Sequence, residues 1–129
     1  MKTLTKIYEI HASAEDVYNA LTKVNIIKKW SGSEAEMDLK PGGEFSLWDG
    51  SIIGINRSIS KTQLVQDWKE ENWGRHSRVT FNISEKEGIT LLELIHEGIP
   101  EKSYDAIDDG WDAYYLKPLK ELLEEEDEE

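Results

Sequence analysis

Three histidines, His11, His76 and His96, are the side chains best suited to proton transfer near neutral pH in this chain. They lie far apart in sequence. None has a second histidine at the His-x-x-x-His spacing that would put two metal ligands on one helix face. There is no cysteine, so a disulfide framework, thiolate metal sites and a cysteine nucleophile are excluded. No Gly-x-Ser-x-Gly turn is present to expose a strained serine, and neither a phosphate loop nor a dinucleotide fingerprint occurs. The sequence therefore predicts no metal site and no cofactor. General acid–base catalysis needs a titratable group held beside substrate with a tuned pKa. The candidates are Glu9, His11, Asp67, Glu93 and His96, and no motif joins any two of them, so no catalytic residue is assigned.

What the chain offers instead is aromatic surface. Trp73-Gly74-Arg75-His76 sits between two strand patterns, and Trp and Arg on a loop suit a contact with a partner. The competing reading is that Trp73 folds back to cap a sheet. A second aromatic set recurs at steps of three and four: Tyr104, Ile107, Trp111, Tyr114 or Tyr115, Leu119 and Leu122. That spacing predicts one apolar stripe on a helix from Tyr104 to Leu123. Ser103 or Asp105 is its expected N-cap. Pro118 removes one backbone donor and is expected to bend it near Tyr114.

The elements that must position these rings read mostly as strands. Thr3 to His11 alternates, with Tyr8 and Ile10 on one face. Ser13-Ala14-Glu15-Asp16 has the form of a helix start, a serine cap with an acid three residues on. Two short helices are expected, the second over about Asn25 to Trp30. Strands then follow: Ala35 to Asp38, Glu44 to Trp48, Ser51 to Ile59, Thr62 to Lys69, Ser77 to Ser84 and Ile89 to His96. Asp49-Gly50 marks a hairpin between the second and third of these. In the third, Ile53, Ile55 and Ile59 share a face. In the next two, Leu64, Gln66 and Trp68, and Val79, Phe81 and Ile83, do the same. A strand, two short helices, about six more antiparallel strands and one long helix make an α+β domain with a curved sheet of about seven strands around the helix.

These residues carry a resemblance. Ser13 to Thr22, Trp30, Met37-Asp38-Leu39-Lys40-Pro41-Gly42-Gly43-Glu44-Phe45, Trp48-Asp49-Gly50, Gly54, Trp73-Gly74-Arg75-His76, His96-Glu97-Gly98-Ile99-Pro100 and Gly110-Trp111-Asp112-Ala113-Tyr114-Tyr115 stand in an order and spacing that cover nearly the whole chain. The chain resembles the helix-grip superfamily of START lipid-transfer domains and the birch-pollen allergen. Within it, the chain is most similar to the C-terminal domain of the activator of the ninety-kilodalton heat-shock chaperone's ATPase. The resemblance implies a helix-grip fold, a chaperone as one candidate partner and an apolar small molecule as another. The eukaryotic activator has a separate N-terminal domain that makes much of the chaperone contact, so weak or no stimulation by this chain alone is the expectation.

Strand phase and helix stripe together place Trp30, Phe45, Leu47, Ile53, Ile55, Trp68, Phe81, Trp111 and Tyr115 around an apolar cavity between sheet and helix. Arg57, Gln66 or Tyr115 would supply its polar groups. A packed core would use the same residues. Trp73, Arg75 and His76 form the candidate partner contact. The leading function is a non-catalytic START-like domain binding an apolar small molecule, with a chaperone association. Two alternatives stay open: an enzyme of the cyclase or hydrolase type in the same cavity, and a chaperone co-factor acting by surface contacts only.

Charge narrows the partners. The net charge is −12, and Glu121 to Glu129 supply seven acids and no base. Residues 1–120 carry 15 bases against 20 acids, or −5. With no basic stripe to displace counterions, nucleic acid is excluded as a partner. No apolar run approaches the ~18 residues of a membrane span, and no secretion signal is visible, so a cytoplasmic monomer or homodimer is expected. Residues 1–123 read as a single helix-grip domain and 124–129 as a solvated acidic tail. Deleting Glu124 to Glu129 removes no apolar side chain and is expected to leave the melting temperature within a few degrees of the parent; a larger fall would place the tail inside the folded unit.

Overall fold

A computed structural model describes residues 1–70 and 76–127. Seven strands make one curved antiparallel sheet in the order β1-β7-β6-β5-β4-β3-β2. In chain order they are β1 (Lys2–Ile10), β2 (Glu36–Met37), β3 (Glu44–Leu47), β4 (Ile52–Ile59), β5 (Gln63–Glu70), β6 (Ser77–Lys86) and β7 (Ile89–Ile99). Between β1 and β2 come α1 (Ala14–Thr22) and α2 (Val24–Ser31). The Ser13 hydroxyl caps α1 by accepting the Asp16 N–H at 3.1 Å, as the sequence predicts. Gly32 ends α2 in the left-handed region, with φ 72°. The Trp30 indole ties the two helices together by donating to the Ala20 carbonyl at 2.8 Å.

The inner face of the sheet follows the predicted alternation in β3, β5, β6 and β7. Phe45 and Leu47, Leu64, Gln66 and Trp68, Val79, Phe81 and Ile83, and Thr90, Leu92, Leu94 and His96 are all buried there. Strand β4 departs from the expectation. Ile52, Gly54 and Asn56 face inward, Ile53 is 48% exposed, and Ile55 lies on the outer face with it. The cause is a bulge: Asn56 pairs with Gln66, but Ser58 pairs with Val65, leaving Arg57 as an extra residue. One added residue inverts the parity of everything beyond it. Ile59 therefore does point inward while Ile53 and Ile55, in phase with it by sequence, do not.

The inward residues of β4 carry no apolar periodicity because their jobs are different. A Cβ on Gly54 would stand 2.1 Å from the Asp67 carbonyl oxygen and 2.5 Å from the Phe45 ring, so only glycine lets that ring lie across the strand. The Asn56 side chain, fully buried, accepts from Gln66 Nε2 at 2.9 Å and donates to the Asp38 carbonyl at 2.9 Å. A second bulge at Gly98, φ 81°, shifts the β1–β7 register between Leu4–His96 and Lys2–Ile99 and turns Ile99 into the core.

The C-terminal helix begins with a single 3₁₀ turn (Glu101–Ser103) and continues as α3 (Tyr104–Gly110), a π segment (Trp111–Leu116) and α4 (Lys117–Asp127). Ser103 is the N-cap residue, without a side-chain cap bond. The π segment lies just before Pro118, which has no N–H to give the Tyr114 carbonyl; the Lys117 N–H instead reaches back five residues to Asp112 O. The wider turn adds a residue to the stripe. Trp111, Tyr115, Leu116, Leu119 and Leu123 are buried, while Tyr114 is exposed and Leu122 only half-buried. The helix is fastened to edge strand β1 by polar groups. Lys6 Nζ pairs with Asp108 and with Asp112 at 2.8 Å, and the Tyr8 hydroxyl donates to Asp112 Oδ1 at 2.6 Å. Near its end, Lys120 Nζ donates to the Glu9 carbonyl and Glu124 accepts the His11 N–H.

The inverted phase of β4 is tested by paired substitutions. Ile52→Ala is expected to cost about 2 kcal/mol or more, as for a buried large-to-small change. Ile53→Ala is expected to cost less than about 1 kcal/mol, as at an exposed site. Chemical denaturation of both variants decides it, and the reverse ranking would restore the phase that the isoleucines suggest.

Candidate functional site: an aromatic cavity under the C-terminal helix

The first half of the C-terminal helix does not fill the space beneath it. Of the residues that it turns to that space, Ile107 and Trp111 are large but Ala106 and Gly110 are small, whereas the second half carries Leu116, Leu119 and Leu123, all buried. The result is a cavity of about 630 Å³ at one end of the sheet, within the range of small-molecule sites. Its walls come from Trp68 on β5, His96 on β7, Trp111 and Tyr115 on the π segment, and Trp48 and Ile52 beside the hairpin turn. Lys102 and Ser103 stand at its rim.

Ring against ring holds this wall. Trp111 lies 4.8 Å from both Trp68 and Tyr115, Tyr115 lies 4.4 Å from Trp30, and Phe81 stacks on Tyr115 at 5.7 Å between centroids. Such contacts add about 0.5–1.5 kcal/mol per pair to ordinary burial. Trp48 has φ 49° and Asp49 φ 55°, a left-handed backbone that side chains other than glycine adopt only at a cost. Edge contacts of Trp48 with Trp30 and Tyr115, at 6.3 and 6.1 Å, offset it.

One polar chain runs through the wall. The Trp111 indole N–H donates to His96 Nδ1 at 2.9 Å. An indole can only donate, so Nδ1 is the bare nitrogen and the proton sits on Nε2. Nε2–H then donates to Ser77 Oγ at 2.7 Å, and Ser77 Oγ–H donates to the Trp68 carbonyl at 3.3 Å. Burial pushes the His96 pKa down to about 4. The fold thus brings together a serine and a histidine that no motif connects, but in the wrong tautomer for nucleophilic catalysis: the nitrogen facing Ser77 gives a proton instead of accepting one. Tyr115 also lines the cavity. It is 3% exposed, its hydroxyl makes no hydrogen bond to a described residue, and burial raises its pKa.

The residues predicted to surround a cavity separate into three groups. Trp68, Trp111 and Tyr115 line it. Trp30, Phe45, Leu47 and Phe81 are buried in the core behind it. Ile53 and Ile55 lie on the far side of the sheet, a correction that follows from the Arg57 bulge. Arg57 is likewise outside, where its Nε meets Asp67 at 2.6 Å; Arg78 Nε meets the other oxygen at 3.1 Å. Burial alone would raise the Asp67 pKa, but the two arginines outweigh it and hold it below the usual carboxylate value. Gln66 is buried and donates to Asn56 while accepting from the Trp68 indole at 2.8 Å, so its polarity is spent within the core. Glu9 and His11 pair on the surface, 3.3 Å apart, and Glu93 accepts from Asn82 on the outer face. His76 is exposed; Trp73 and Arg75 lie outside the described residues. Trp48, Lys102, Ser103 and Tyr114 were not predicted. Trp48 had a signal, its place directly before Asp49-Gly50, but Lys102 and Ser103 had none.

The edge clasp has an electrostatic signature of its own. Desolvation and the bond to Asp112 push the Tyr8 pKa up to about 12. Asp112 is held low by Lys6 and Tyr8, against the upward pull of its own burial.

Comparison with known proteins places this geometry. The family described as "Activator of Hsp90 ATPase homolog 1-like protein" matches residues 11–124. An activator of 90 kDa heat shock protein ATPase homolog from Dictyostelium discoideum is 32% identical over 92% of this chain and 32% of its own length. Homolog 1 from Homo sapiens is 25% identical over 86% of the chain and 34% of its own length. The chain thus spans about a third of the curated relatives it matches. Among solved structures, an HSP90 activator from Plasmodium falciparum superposes with a TM-score of 0.88 at 32% identity, over 95% of this chain and 96% of that one. CalU16 from Micromonospora echinospora superposes at 0.83 and 28% identity, over 98% and 78%.

The neutral His96 links stability to pH. Its folded pKa of about 4 lies below the ordinary 6.5, so between these values the unfolded chain takes a proton that the folded chain refuses. Stability is full above about pH 6.5, falls as pH drops toward about 4, and this contribution is flat below that. The loss is about 3 kcal/mol. Asp67 and Asp112, with lowered pKa values, lose their contribution only as pH falls below the carboxylate range. Denaturant unfolding from pH 7 to 4 is expected to show this drop in the parent and not in His96→Gln; parallel profiles would mean that His96 accepts a proton in place.

Proposed function

We propose that this chain, which belongs to the activator of Hsp90 ATPase homolog 1-like family, is a non-catalytic domain that engages a 90 kDa heat-shock chaperone through its surface. The observation that carries this reading is the match to the Plasmodium falciparum HSP90 activator, at 32% identity over 95% of this chain and 96% of that one. A helix-grip domain of this size is therefore nearly all of a solved chain described as an activator. The Trp73-Gly74-Arg75-His76 segment is the proposed contact, since a tryptophan and an arginine together supply the area and the directional charge that interface hot spots use. A cytoplasmic location goes with that partner.

A second reading has its own observation. The cavity of about 630 Å³, walled by Trp48, Trp68, Trp111 and Tyr115, suits an apolar small molecule, and the Tyr115 hydroxyl gives it one polar anchor. Bound ligand would stabilise the end of the domain that the helix leaves unfilled. The hydrogen-bonded state of His96 favours binding over the cyclase or hydrolase alternative, because neither ring nitrogen is left to serve as a base.

Steady-state ATPase turnover of a 90 kDa chaperone from the same source tests the first reading. Stimulation by this chain is expected to be measurable but weaker than that by a relative three times its length, and to fall in Trp73→Ala and Arg75→Ala with melting temperature unchanged. Absence of both binding and stimulation would remove the chaperone reading.

A further inference from the structure

The charge of the cavity wall differs from that of the protein around it. The chain carries 27 acids and 15 bases, yet no carboxylate among the described residues lines the cavity. The acids of the overlying helix point elsewhere: Asp105 and Asp109 are exposed, and Asp108 and Asp112 are turned to Lys6 on β1. Among the described residues, the one ionised group on the lining is Lys102, because His96 is neutral and held by Trp111 and Ser77. Lys102 is exposed and makes no ion pair with a described residue. Ser103 follows it in the chain and also lines the cavity, and most of the remaining lining is aromatic and aliphatic.

We propose that the cavity takes an amphiphile with an anionic head group, the apolar body lying under Trp48, Trp68 and Trp111 and the head held at the rim by Lys102 and Ser103. This rests on the cavity reading above. An apolar body gains from leaving water, while an anion drawn into the same interior would lose its hydration without compensation. A cation at the rim resolves this by pairing with the head where water still reaches it. The same lysine opposes a cationic head, and a neutral one gains nothing from it beyond a hydrogen bond. Discrimination by charge is therefore the property this arrangement confers.

The test uses the full chain and three probes that share one tail, dodecanoate, dodecanol and dodecyltrimethylammonium, each kept below its micellar concentration. Tryptophan emission and melting temperature are followed together, since three of the wall residues are tryptophans. Dodecanoate is expected to bind up to about fivefold more tightly than dodecanol, the size of effect that one partly solvated charge pair of up to about 1 kcal/mol produces, and the ammonium probe most weakly. Lys102→Met should bring dodecanoate to the level of dodecanol and leave dodecanol unchanged. High salt should narrow the same gap in the parent. Ala106→Trp, which fills the cavity from the helix, should abolish binding of all three while the melting temperature shows a folded chain. Equal affinities for the three probes would overturn the anionic preference and leave the cavity reading standing. No binding of any probe would overturn both.

Discussion

The hydrogen bond from the Trp111 indole to His96 is the contact on which the placement of the C-terminal helix depends. A buried indole N–H must find an acceptor, and leaving it without one costs about 1–3 kcal/mol. The acceptor here sits on β7, between β1 and β6 in the sheet, and is itself fixed by Ser77 on β6, which bonds the β5 backbone. Four elements are thereby held in one register. Once Trp111 is set, Tyr115 falls beneath Trp30 and onto Phe81, and Leu119 and Leu123 reach the core under α1 and α2. The histidine can play this part only as a neutral ring, and that is what its burial enforces.

The π segment and the clasp on β1 make that placement compatible with the rest of the helix. Without the extra residue between Trp111 and Leu116, a regular stripe could not bury Trp111, Tyr115 and Leu116 side by side. Pro118 supplies the local reason for the wider turn, since its ring leaves an i−4 carbonyl without a donor. On the opposite flank Asp112, the residue after Trp111, is gripped by Lys6 and Tyr8. The helix is thus held on its apolar face by rings and on its polar flank by charge. The exposed fraction of Asp108 and Asp112 keeps those ion pairs modest individually, so their part is to set rotation about the helix axis.

The hollow end of the domain follows from the same helix. Ala106 and Gly110 lie where the next turns carry leucines, and a curled sheet meeting small side chains leaves space. In its wall Trp111 bonds to His96, His96 to Ser77 and Trp68 to Gln66, while the Tyr115 hydroxyl makes no bond to a described residue. The described residues of this family member thus leave an interior of a size that suits a small guest.

The α+β class, the two short helices, the inner faces of β3, β5, β6 and β7 and the helix with its aromatic stripe could all be read from periodicity. Each of those patterns is local, and burial of one face selects it directly. The Ser13 cap and the Asp49-Gly50 turn were legible for the same reason, being chemistry within four residues. Strand β4 was not. Its inward positions hold Gly54, chosen for the absence of a side chain, and Asn56, chosen for hydrogen bonds to other elements, while its isoleucines sit outside. A bulge cannot be seen from one strand, since it is a mismatch between two. The His96–Trp111 and Ser77–His96 bonds, the shift of Leu122 for Leu123 and the cavity rim at Lys102 belong to the same class. They join residues 15 and 19 positions apart or depend on one added residue in a helical turn, and only the packed chain decides which of the many polar groups available meet.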